Sequence, residues 1–185
     1  MLTAECGRGA QMHAGACAAR GEVLWFVHAD THPPVDGVRY ILEALRNRQI
    51  VGGCFRVCFD GSSHAARFLT WLYPRLGWFG LCYGDATLFV RRAIYERAGG
   101  FRPFPIFEDV DLVQRLRQDG QFTCVPVPVC TSSRRFTGHR LLRTLIRWTT
   151  LQLFYGLGVS PRTLGRFYPA IREHGKQREH KSLSG

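Results

Sequence analysis

No two of the seven cysteines, at 6, 17, 54, 58, 82, 124 and 130, stand in a C-x-x-C pair, so the spacing that marks zinc sites and redox dithiols is missing. Their odd number does not suit a fully paired disulfide framework. Cys54, Cys58 and Cys124 lie inside apolar runs, which predicts buried, reduced thiols in a cytosolic protein. The opening MLTAEC has neither a basic start nor an apolar core, and no secretory signal is expected from it. No apolar stretch reaches the roughly 18 residues of a transmembrane helix. Acid is scarce in one region. Residues 134–185 hold two acidic side chains against 11 basic ones, whereas residues 1–133 hold 12 against 14. The body is therefore nearly neutral at +2 and the C-terminal segment carries +9 of the net +11. Such segregation calls for an anionic partner, either nucleic acid or a membrane surface. No recognised nucleic-acid motif accompanies the charge.

What is present fits one globular domain: 185 residues, 45% hydrophobic and 12% aromatic, enough to build a core. The run Val23-Leu24-Trp25-Phe26-Val27 ends abruptly in His28-Ala29-Asp30-Thr31. Five apolar residues in a row read as a short strand buried on both faces, as inside a parallel sheet. Asp30 then stands just past the carboxyl end of that strand. A hard cation or phosphorylated ligand would be held there, or Asp30 simply caps the turn into His32-Pro33-Pro34.

Alanine-rich 7–20 predicts a helix stopped by Gly21. Arg8 at its start opposes the macrodipole unless an anion faces it; the plain alternative is a solvated arginine. Apolar Val38, Ile41, Leu42 and Leu45 give a helical stripe over 36–48, with Asp36 as a cap. Residues 50–59 read as a strand, and 63–76 as an aromatic, basic helix as far as Pro74. The loop 77–85, with three glycines and three aromatics, either walls a pocket for a ring-shaped ligand or plugs the core. Residues 86–90 form a third strand, and 91–98 a helix ending at Gly99-Gly100. Residues 122–129 form a strand that Pro126 and Pro128 assign to an edge.

Between these lies Glu108-Asp109-Val110-Asp111 at the start of a helix that stops at Gly120. Acids in a first turn satisfy the macrodipole, which accounts for Asp111. The adjacent pair Glu108-Asp109 is less well explained, because neighbouring carboxylates repel. An ionised aspartate there is suited to take a proton from a hydroxyl.

Taken together, GRGAQ, the strand ending in HADT, GGCFRVCFD, YGDATLFVRR, GGF, FEDVDLVQRLRQDG and TSSRRF follow an order that resembles the bacterial family 2 glycosyltransferases of GT-A fold. The resemblance runs from Gly7 to about Tyr168. It implies an α/β fold, a Rossmann-like and mostly parallel sheet flanked by helices. It also implies metal-assisted, inverting transfer of a sugar from a nucleotide-diphosphate donor to an acceptor hydroxyl. In that likeness Asp30 falls on the last acid of the family's D-x-D motif, which binds Mg²⁺ or Mn²⁺ on the donor diphosphate, with His28 in place of the first acid. Asp109 falls on the general base and Glu108 on its partner. Arg8 and Gln11 match the donor diphosphate segment, Tyr83, Gly84 and Asp85 the acceptor side, and Arg134 and Arg135 the basic residues that close over phosphates.

Family members begin with a strand, a helix and a strand that hold the nucleotide base, and this chain starts after them. The expectation is an N-terminally truncated catalytic domain over 1–136, a helical segment over 137–172 and a disordered tail over 173–185. Within the segment, 139–157 predicts an amphipathic helix with Leu142, Ile146 and Leu153 near one face and Arg140, Arg143 and Arg147 on another. It either packs on the sheet or lies on an anionic membrane near a lipid acceptor, which would place the protein in the cytoplasm, at the inner face of the plasma membrane. The competing readings are a non-catalytic, membrane-associated scaffold derived from a transferase, and a basic nucleic-acid-binding module. The second leaves Asp30 and Glu108-Asp109 without a purpose, and no nucleic-acid partner is expected.

Overall fold

The computed structural model describes residues 3–60, 64–78, 86–131 and 140–167. In chain order the elements are α1 (Arg8–Ala18), β1 (Val23–Trp25), β2 (Thr31–His32), α2 (Gly37–Ala44), β3 (Ile50–Phe59), α3 (His64–Trp78), β4 (Phe89–Arg91), α4 (Arg92–Arg97), α5 (Glu108–Leu116), β5 (Gln121–Thr131), α6 (Arg140–Gly156) and α7 (Pro161–Gly165). The fold is mixed α/β. Among the described residues five strands form one sheet in the order β1-β4-β3-β5-β2.

The sheet corrects the expectation of mostly parallel strands. Among the described strands only β3 and β5 run parallel, from Ile50↔Gln121 to Phe59↔Thr131; the pairs β1–β4, β3–β4 and β2–β5 are antiparallel. The Val23–Val27 run is not an interior strand either, since β1 ends one edge of the sheet. Its apolar character has another cause. Leu24 enters the cluster containing Ala16, Leu69 and Leu112, while Val23 and Trp25 pack with Ile41, Phe55 and Phe89. Helices cover both faces, so every position along the strand is apolar whatever its place in the order.

Smaller corrections share that origin. In α2, Ile41 and Leu45 are buried, but Val38 and Leu42 of the predicted stripe are more than half exposed, at 59% and 56%. The stripe is narrower than its composition. Helix α3 continues past Pro74 to Trp78. β5 is interior in strand order, yet β2 pairs only with Cys130 and Thr131. The prolines thus lie where β5 has β3 on one side and no described strand on the other, and the β3–β5 register slips between Phe55 and Arg56 just there. Of the three cysteines expected to be buried and reduced, Cys54 is buried but not reduced, Cys58 is half-buried and Cys124 is exposed. Cys54 is disulfide-bonded, and among the described free cysteines Cys6, Cys17, Cys124 and Cys130 are exposed. An apolar run does not say which face a given position occupies.

A third cluster holds the C-terminal helices. Leu151 of α6 and Leu164 of α7 bury against Ile106, Phe107 and Val110, with Trp148 and Tyr155 alongside. Ile146 and Leu153 of the predicted apolar stripe point outward at 59% and 62% exposure, and α6 packs instead through Trp148, Leu151 and Tyr155. The side chains of Arg140, Leu142 and Arg143 lie outside the described residues. Ser160 caps α7, its Oγ accepting the Arg162 N–H at 3.3 Å. Among the described residues no helix is long and apolar enough to cross a membrane.

Candidate active site

Helix α5 begins at a backbone that side chains rarely adopt. Phe107, its N-cap, has φ 62° and ψ 21°, a left-handed conformation costing about 1–3 kcal/mol for a non-glycine residue. The third cluster holds it there. The Phe107 ring stacks on Tyr155 at 4.8 Å and meets Trp148 edge-on at 6.5 Å. This turn presents Glu108, Asp109 and Asp111, all buried, at the positive end of the helix dipole.

The three acids have different surroundings. Asp111 accepts from Arg115 Nη2 at 2.6 Å and Arg102 Nη1 at 3.1 Å, and Arg115 also donates to the carbonyls of Gly100 at 2.8 Å and Ala98. It ties the loop ahead of the helix to the helix itself. Glu108 Oε1 faces Arg8 Nε at 3.2 Å. Asp109 accepts the Val110 N–H on Oδ1 at 2.8 Å, and its Oδ2 lies 3.8 Å from Arg8 Nη2.

Arg8 is the junction. Its Nη2 also donates to His28 Nε2 at 2.7 Å. A guanidinium only donates, so Nε2 is the acceptor and the neutral imidazole carries its proton on Nδ1. Of the two readings of Arg8, a partnered cation or a solvated one, the partnered one holds, and the partner is a pair of carboxylates. Close approach of α1 depends on Gly9, where a Cβ would stand 2.8 Å from the Arg102 carbonyl oxygen and 3.3 Å from Glu108 Cβ.

His28, Arg8, Glu108 and Asp109 are therefore brought together from three separate elements. Asp30 sits half-buried two residues beyond His28, in a turn closed by the Thr31 N–H donating to the His28 carbonyl at 3.1 Å. Gln11 lies exposed on α1, one turn from Arg8. Tyr83, Gly84, Asp85, Arg134 and Arg135 lie outside the described residues. Among the described residues, no group of three or more His, Cys, Asp or Glu side chains is arranged to hold a metal ion. Of the two residues expected at a metal, His28 has its Nε2 turned to Arg8 and Asp30 is a half-buried carboxylate. One carboxylate with substrate phosphates is a mode Mg²⁺ commonly uses.

Tyr155 is a site residue that sequence reasoning missed. Burial first, then the charges of Asp111 and Asp109, push its phenol up, so it stays a neutral donor near those carboxylates, and its hydroxyl donates to Gln114 Oε1 at 3.3 Å. Nothing in the local pattern of α6 singles it out. Arg102 and Arg115 were missed likewise, although Arg115 stands four residues after Asp111, a spacing that pairs acid and base on a helix.

No family model matches the chain, and no solved structure matches it. Over 123 residues it is 28% identical to a probable glycosyltransferase, YdaM, of Bacillus subtilis (strain 168), an alignment covering 60% of this chain and 29% of that protein. The chain thus spans well under half the length of this relative.

Proposed function

We propose that the protein is a glycosyltransferase of the bacterial family 2, GT-A type, moving a sugar from a nucleotide-diphosphate donor to an acceptor hydroxyl with inversion. The observation that carries this reading is the Arg8 junction. One guanidinium meets His28, in the loop that follows β1, and Glu108 and Asp109 at the start of α5, which brings segments about 80 positions apart to one locus. The similarity to a probable glycosyltransferase supports it.

In the proposed reaction the acceptor oxygen forms a bond to the anomeric carbon as the bond from that carbon to the diphosphate oxygen breaks. Asp109 takes the acceptor proton, and the diphosphate departs with the electron pair. A carboxylate at a helix start, with one oxygen held by its own helix amide, is a fixed base rather than a wandering one. Glu108 holds Arg8, and Arg8 with Gln11 receives the donor diphosphate through charge-assisted hydrogen bonds. Asp30 would hold Mg²⁺ or Mn²⁺, and His28 would have to release Arg8 to join it. A bound cation would supply charge neutralisation for the leaving diphosphate. Tyr83, Gly84 and Asp85 are assigned to the acceptor side and Arg134 and Arg135 to the phosphates, on the resemblance alone. The outward apolar face of α6 supports a lipid-borne acceptor.

The test is a panel of nucleotide sugars with Mn²⁺ or Mg²⁺, read as nucleoside diphosphate release, with product anomeric configuration by NMR. Release from one donor class, lost on chelation and giving the inverted anomer, is expected. Binding of no donor with either metal would overturn the reading.

A further inference from the structure

Strands β3 and β5 set four cysteines opposite one another in two pairs, Cys54↔Cys124 and Cys58↔Cys130. Directly opposed residues of neighbouring strands project from the same face of the sheet. The pairs differ in what their sulfurs can still give. Cys54 is disulfide-bonded while Cys124 is free, so Cys124 is not its partner and that pair holds a single thiol. Cys58 and Cys130 are both free, Cys58 half-buried and Cys130 exposed.

The second pair is placed for a bond between its sulfurs. Neighbouring strands lie about 4.8 Å apart, inside the range of about 4.4–6.8 Å over which two Cα atoms carry a disulfide. The Cys130 thiol is pushed up, by desolvation first, then by the charge of Cys58 and a hydrogen bond to it, then by Asp60. A hydrogen bond that raises a thiol favours its protonated form, so the Cys130 S–H donates and the Cys58 sulfur accepts. Cys58 in turn faces the Phe59 carbonyl at 4.0 Å, and a weak donor at that distance does not hold its sulfur away from Cys130. On its other side Cys130 stands opposite His32 of β2, beside the Thr31↔Thr131 pair. The Asp60 N–H donates to the Thr131 carbonyl at 3.0 Å. The two thiols therefore lie where β2, β5 and β3 meet.

We propose that Cys58 and Cys130 form a dithiol that a low-molecular-weight disulfide converts reversibly into a bridge between β3 and β5. Exposure makes Cys130 the first to react. Its sulfur, having lost its proton, attacks one sulfur of the small disulfide; an S–S bond to Cys130 forms, and the departing sulfur leaves with the electron pair and takes up that proton. The Cys58 sulfur then attacks the Cys130 sulfur. The mixed disulfide breaks, and the second small thiolate takes up the proton of Cys58. The two cysteines lose two electrons between them, one small disulfide is reduced to two thiols, and no other oxidant enters. A thiol reductant reverses both steps. The bridge ties together the end of the β3–β5 ladder on which Thr31 and His32 dock. The proposal is independent of glycosyl transfer, since neither cysteine belongs to the Arg8 junction.

The experiment treats the intact folded chain with bis(2-hydroxyethyl) disulfide at about 0.1 mM, below the millimolar effective concentration of a tethered neighbour. Peptide mass spectrometry without reduction then follows each cysteine. The Cys58–Cys130 linked peptide is expected to exceed the mixed disulfide on Cys130 by at least about tenfold, while exposed Cys6 and Cys17 collect mixed disulfide only. Cys58→Ser collects mixed disulfide on Cys130 and forms no bridge there. In urea the preference of Cys130 for Cys58 disappears. Mixed disulfide persisting on Cys130 with Cys58 still a thiol, links from Cys130 to other cysteines as abundant as the link to Cys58, or no reaction at Cys130 overturns the proposal. Should Cys58→Ser fail to fold, the folded-against-urea comparison decides by itself.

Discussion

At the start of α5 the fate of each carboxylate is set by the arginine it meets. Asp111 is gripped by Arg102 and Arg115 and has no part in the proposed chemistry; Glu108 and Asp109 turn to Arg8. Asp111→Asn should therefore destabilise the fold by about 3 kcal/mol, because Arg115 is left buried with half its partners. Urea unfolding measures this, and a change under about 0.5 kcal/mol, the level of an ordinary surface substitution, would count against the structural role. The sequence pattern was sufficient to find the three acids and to suspect that Asp111 differs. It could not separate them by partner, because Arg8 and Arg102 reach the helix through space from other segments.

Among the elements, α6 shows most clearly where pattern reading stops. A basic amphipathic helix was legible over 139–157, and one forms over Arg140–Gly156. Which apolar residues face inward was not, since Leu145, Trp148, Leu151 and Tyr155 offer a second apolar stripe beside Ile146 and Leu153. The partner decided it: the strained Phe107 turn needs an aromatic cover, and Trp148 and Tyr155 supply it. Leu151→Ala should cost about 2–4 kcal/mol and speed amide hydrogen exchange both in α6 and around Phe107. Faster exchange confined to α6 would show that the two elements do not support each other. Strand order was illegible for a related reason. The apolar run Val23–Val27 reads as an interior strand, yet only Leu24 in it is fully buried and Val27 is 41% exposed, so apolar character alone did not report its place in the sheet.

On the scale of the whole molecule, +9 of charge lies in the last 52 residues, and Ile146, Leu153 and Leu157 form an outward apolar surface at 59%, 62% and 71% exposure. A lipid-borne acceptor would use both features. Vesicles containing phosphatidylglycerol should co-sediment the chain at low salt and neutral vesicles should not, with Ile146→Glu/Leu153→Glu weakening binding at least about tenfold. Indifference to both lipid charge and the double substitution would remove the lipid from the account. The order of the motifs and the expectation that Asp30 and Asp109 share one cleft were read from sequence; that Arg8 joins the His28 segment to the start of α5 was not. The most direct test is the turnover of Asp109→Asn beside wild type, with the best nucleotide-sugar donor and matched folding stability. Loss of the general base predicts a fall in kcat of about 10²–10⁴ with little change in donor KM. Equal turnover by the two proteins would contradict the assignment of Asp109 as the base.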